Sequence, residues 1–211
     1  MKVEAMRAGQ AGVSSWLWRC GVPPHLVGAR FDNYAHQTLQ QAAALQTCAV
    51  CTASWLEAGG QAPAGLWLHG PEGTGKSHLA VAVAAGFVSG SAGKEAGEWL
   101  RHGTAGRATV GFWRAGQVAT RQTTGLWWEM GSVRLLVLDG LDSVRVDAAA
   151  ARALLRLLQL RRRRGVPTVV TSLCHPAELA GRHRLPWPGD QWQEWRVVPL
   201  DGSDYCRKNW Y

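Results

Sequence analysis

The chain has 211 residues, 46% of them hydrophobic and 18% charged, which excludes a disordered protein and fits one sizeable α/β domain. Its net charge of +8 suggests an anionic partner, nucleic acid being the commonest, although charge alone leaves a basic protein without such a partner open. No apolar run reaches the length of a membrane span, and no apolar stretch follows the basic residues of the N-terminus, so no membrane contact and a cytoplasmic location are expected.

In chain order, residues 1–20 are Gly-rich and weakly patterned, and they predict a flexible N-terminal arm with a brief helix around "SSWLWRC". Residues 21–211 are expected to form a single domain. Its lead-in, "GVPPHLVGARFDNY", is held extended by Pro23 and Pro24. A helix is predicted over 35–56. It contains Cys48 and Cys51, a CxxC with no second CxxC or His pair. At a spacing of three, two helical residues share a face, so two small packed side chains is a simpler reading than a zinc or redox site. The scattered, odd set of five cysteines is expected to be reduced.

"AGGQAPAG" predicts a turn, "LWLH" (66–69) a first strand, and 76–87 a helix, with "VSGSAGKEAGE" after it as a loop or short helix. Further strands are predicted at 108–113, 133–138, "PTVVTS" and "WRVVPL". A helix capped by Asp147 precedes the fourth strand, with Ala150, Leu154, Leu157 and Leu158 on one face. Apolar strands alternating with helices indicate a parallel sheet covered on both sides.

"GPEGTGKS", Gly70 to Ser77, fits the phosphate-loop pattern G-x-x-x-x-G-K-[ST] without a mismatch and lies between a predicted strand and a predicted helix. Gly70, Gly73, Thr74 and Gly75 would turn backbone N–H groups around a phosphate. Lys76 would reach the β and γ phosphates, and Ser77 would hold magnesium. Asp139 closes "LLVLD" about sixty residues later, where a carboxylate completes the magnesium site. ATP or ADP with Mg2+ is the expected ligand.

"GVPPHLVGARFDNY", "LWLHGPEGTGKSHLAVAVA", "LLVLDGLDS", "PTVVTSL" and "GSDYCRKN" occur in the order found in the DnaC/IstB-like branch of the AAA+ ATPases, which the chain resembles over about residues 21–208. The resemblance implies a P-loop NTPase fold of AAA+ type: a five-stranded parallel sheet flanked by helices, here with little or no C-terminal lid. It also implies self-association through the ATP site. Phe31 and Tyr34 would border the adenine, with His78 beside the phosphate loop. Thr171, with Ser172, would end the sensor strand, Arg184 would be the arginine finger, and Arg207 a second sensor arginine.

Two positions depart from the family pattern. Gly140 stands where a second acid follows the first, and Leu173 where the sensor strand ends in asparagine. Both missing groups handle the attacking water, so tight binding with slow hydrolysis is expected. Asp142 and Glu72 are the acids nearby that could substitute.

For nucleic acid, Arg114, Arg121, Trp127 and Trp128 lie between the second and third strands, where the resemblance implies a DNA-gripping insertion. Arg161, Arg162 and Arg163 form a second basic group at a helix C-terminus, where the helix dipole alone also favours cations. Three functions follow from the resemblance. One is a loader that places a replicative helicase on single-stranded DNA, and another is an ATPase helper of a transposase. The third is an ATP-gated adaptor that does not turn over.

Overall fold

The computed structural model describes residues 12–59, 65–99, 110–120, 124–142, 148–183 and 195–204. Five strands, β1 (Leu66–His69), β2 (Val110–Arg114), β3 (Leu135–Asp139), β4 (Thr168–Ser172) and β5 (Arg196–Pro199), form one sheet in the order β2-β3-β4-β1-β5. Every pairing is parallel, so all C-terminal strand ends lie along one edge of the sheet.

The period of two along each strand divides the core into two layers. Leu66, Leu68, Leu135, Val137 and Val169 face one layer. It is covered by α1 (12–19), α2 (Leu39–Glu57) and α3 (Lys76–Trp99). Trp67, Leu136, Leu138 and Val170 face the other. That side carries α4 (Ala115–Thr120), α5 (Thr124–Ser132), α6 (Ala148–Arg163) and α7 (Pro176–His183). With both faces buried, the strands read as continuous apolar runs.

Three sequence expectations are corrected. Residues 12–19 belong to the domain: Leu17 is fully buried in the core, and the Phe112 amide donates to the Cys20 carbonyl, covering the open edge of β2. α2 starts at Leu39 and not at residue 35, because the Thr38 hydroxyl caps it by accepting from the Gln41 amide. α3 continues without a break through the glycine-rich stretch expected to be a separate loop or short helix. A Cβ at Gly90 would come within 2.2 Å of Leu56 Cδ1 of α2, and one at Gly86 would meet Phe31 at 3.2 Å and Thr52 of α2 at 3.3 Å. These glycines serve close helix packing, not chain reversal.

Cys48 is fully buried in the same seam, and burial pushes its thiol up to about 12. A thiol held protonated in this way is a core side chain, not a ready metal ligand.

Candidate nucleotide site

The phosphate loop leaves β1 at the C-terminal edge of the sheet and runs into α3 at Lys76. Gly75 has φ +89°, and a Cβ there would meet the Tyr34 ring at 2.5 Å. Only glycine allows that approach. The Tyr34 hydroxyl in turn donates to the Thr74 carbonyl at 2.9 Å, and the Thr74 hydroxyl donates to the Pro71 carbonyl at 2.9 Å. The lead-in segment thus braces the loop from outside.

Lys76 is buried, and its ammonium donates to the carbonyls of Gly70 and Pro71. Burial lowers its pKa, while the carboxylates of Asp142, Asp139 and Glu72 oppose that shift. The charge therefore sits at the mouth of a helix whose own N-terminal amides attract anions.

Asp139 ends β3 opposite the loop. Its Oδ1 accepts from the Ser77 hydroxyl at 2.6 Å and from the Thr171 hydroxyl at 2.8 Å. Thr171 accepts in turn from the Gly140 amide at 2.8 Å. Thr171 is buried, and its hydroxyl is engaged on both sides, donating to Asp139 and accepting from Gly140. The Ser77 hydroxyl and the Asp139 carboxylate make an oxygen-only pair of the kind that suits Mg2+.

Position 140 is constrained by its backbone. Gly140 has φ +68°, the left-handed region that side chains with a Cβ rarely adopt. Asp142, two residues on, accepts from the Leu173 amide through Oδ2 at 2.7 Å. Its Oδ1 is buried and has no hydrogen-bond partner among the described residues. Asp142 is also the carboxylate most strongly coupled to Lys76. The two positions that lack their expected groups, 140 and 173, thus flank one carboxylate.

A cavity of about 690 Å³ runs along the loop. It is lined by His25, Leu26, Asn33, Tyr34, Ala35, Gln37 and Gln41, by residues 73–78, and by Arg114, Asp139 and Gly140. The lead-in around residues 31–34 was expected here, whereas sequence reasoning missed His25, Leu26, Ala35, Gln37 and Gln41, although His25 stands in the quoted lead-in. His78 joins the wall, its Nε2 3.0 Å from the Arg30 carbonyl, and burial holds its pKa below the usual histidine range.

Several expected site residues fall elsewhere. Phe31 does not line the cavity; its ring packs against the core beside Gly86 of α3. Arg114 lines the nucleotide cavity, paired in register with Asp139, and not a strand-binding groove with Trp127. Arg161 is fully buried. Its guanidinium donates to Thr168 Oγ1 and to the carbonyls of Met130, Val133, Arg134 and Pro167, so it has nothing to offer a nucleic acid. Arg162 is half-buried and Arg163 exposed.

Trp127 lines a separate groove of about 460 Å³ with Trp128, Arg134, Leu160 and Arg164. Val133 and Val166, which precede β3 and β4, line it too, so it opens at the opposite edge of the sheet from the nucleotide cavity. Arg121, Arg184 and Arg207 lie outside the described residues.

A parallel sheet in this strand order, with a phosphate loop after β1 and an acid at the end of β3, is the P-loop NTPase fold of AAA+ type. Among solved structures the chain is similar to the DnaC helicase loader, with a TM-score of 0.63 at 20% identity, covering 85% of this chain and 100% of that one. It is similar to the replication initiator DnaA bound to AMPPCP and single-stranded DNA, with a TM-score of 0.61 at 18% identity, covering 86% of this chain. The match spans 51% of that DnaA chain, about half its length. DnaI is similar at a TM-score of 0.58 and 16% identity, covering 87% of this chain and 93% of its own. No protein-family model and no curated protein sequence matches the chain.

Proposed function

We propose that the chain is an ATP-binding switch of DNA replication, acting as a DnaC-like loader that brings a replicative helicase to single-stranded DNA and hydrolyses ATP slowly. The observation that carries the reading is an intact phosphate and magnesium corner beside a position where the backbone itself suits glycine. In this reading the triphosphate lies along residues 73–77, with Lys76 neutralising its terminal phosphates. Ser77 and Asp139 would hold Mg2+, which would offset the charge of the phosphates.

Asp142 is the residue of choice for orienting the attacking water. Its free Oδ1 can accept a proton, while the Leu173 amide fixes its other oxygen. A carboxylate held from that side stands in for the acid absent at Gly140, and less effectively.

The replication role is supported by likeness to proteins described as a helicase loader and as an initiator bound to single-stranded DNA. The Trp127 and Trp128 groove, bordered by Arg134 and Arg164, supplies aromatic faces and cations of the kind that hold single strands. No helix among the described residues is long and apolar enough to cross a membrane.

One experiment tests the core of the proposal: binding of a fluorescent ATP analogue and ATP turnover, each with and without single-stranded DNA. Lys76→Ala should abolish nucleotide binding. Undiminished binding by Lys76→Ala would overturn the nucleotide reading. Absence of salt-sensitive DNA binding in the presence of ATP would remove DNA from the partners.

A further inference from the structure

Arg114 is the last residue of β2, and its register partner on the neighbouring strand is Asp139. Parallel neighbours lie about 4.8 Å apart, and paired residues project to the same face of the sheet. Asp139 uses that face to reach Ser77. The Arg114 side chain is exposed and lines the same cavity as Thr74, Lys76, Ser77 and Asp139.

Lys76 is tied back to the carbonyls of Gly70 and Pro71 at the base of the loop. Arg114 is in register with Asp139, whose carboxylate accepts from Ser77 directly after that lysine. A phosphate loop and its lysine hold the β and γ phosphates of a triphosphate, so the group nearest this corner would be the terminal phosphate. A diphosphate lacks it.

We infer that Arg114 is a ligand of the terminal phosphate of the bound nucleoside triphosphate, donated by the same chain, and that it makes the site distinguish triphosphate from diphosphate. The inference rests on the nucleotide-binding reading above and adds a residue that the phosphate-loop motif does not contain. A guanidinium matches a phosphate by paired N–H donors, and an arginine supplied in the same chain stabilises the charge of phosphoryl transfer in other NTPases.

The test compares binding of fluorescent ATP and ADP analogues, with magnesium, to the full chain and to Arg114→Ala, Arg114→Lys and Lys76→Ala. Arg114→Ala should weaken triphosphate binding about tenfold to a hundredfold, the span of a charge-assisted hydrogen bond, and leave diphosphate binding unchanged. Arg114→Lys should recover part of the loss. Arg114 is exposed, and matched melting curves would show that the variants remain folded.

An equal loss for both nucleotides, or no loss for either, overturns the inference while leaving the nucleotide site in place. Loss of single-strand binding with ATP selectivity intact also overturns it and returns Arg114 to the nucleic-acid surface. A wild-type chain that binds neither nucleotide overturns the underlying reading, and this inference with it.

Discussion

Two arginines separate the two edges of the sheet. Arg114 stands exposed at the C-terminal edge, on the rim of a cavity lined by an acid, hydroxyls and an ammonium. Arg161 lies at the N-terminal edge, fully buried, with no acid among its hydrogen-bond partners in the described residues. Its donors join the end of α5, the approach to β3 and the start of β4. Burial lowers its pKa to about 9, so it remains charged at neutral pH. The contrast teaches that arginine at one edge lines a cavity and at the other acts as a structural clamp.

The largest expected effect breaks the clamp. Arg161→Met removes the donors that the carbonyls of Met130 and Val133 accept from, and leaves the Pro167 carbonyl with the Leu136 amide alone. It should cost about 3–5 kcal/mol of stability, read from the midpoint of a urea titration. Nucleotide affinity in the fraction that remains folded should be unchanged. A loss below about 1 kcal/mol would mean that the clamp is dispensable.

Next in size is the chemistry of the nucleotide edge. Asp142→Asn keeps the shape and an acceptor for the Leu173 amide but removes the charge. Single-turnover hydrolysis should fall by about a hundredfold or more, the lower bound for a general base, while ATP affinity is retained or improved. An unchanged rate would take Asp142 out of the mechanism.

Gly140→Glu sharpens the same point. Because Gly140 has φ +68°, a side chain there is strained, at a cost of about 1–2 kcal/mol. The variant should melt earlier and gain little in rate, because restoring the acid also requires the backbone to change. A large acceleration with stability intact would show that the left-handed conformation is not maintained.

The smallest effect is the pH dependence. Burial is the largest cause lowering the pKa of both His69 and His78, with His175 and Lys76 adding to the effect on His69. The folded chain therefore resists protonation at both, whereas the unfolded chain takes up protons near pH 6.5. Their contribution to stability is complete above about pH 6.5 and declines as pH falls below it, levelling once the folded imidazoles are also protonated. Thermal melts between pH 7.5 and 5 should show this decline, and His78→Gln should make it shallower.

Sequence alone determined the phosphate loop, the placing of Ser77 with Asp139, and the alternation of strands and helices. These signals are local: a glycine spacing, a strand-terminal acid and apolar runs buried on both faces each depend on neighbouring residues. It also exposed the gap at 140, but not its reason, since the left-handed φ of Gly140 follows from how the chain leaves β3. Tertiary structure decided the fate of the arginines. Arg114, Arg161 and Trp127 looked alike as nucleic-acid candidates, yet strand order sends Arg114 to one edge of the sheet and Trp127 to the other. Arg161 is buried by carbonyls 27 to 31 residues away, and no local pattern reports a contact made across that distance.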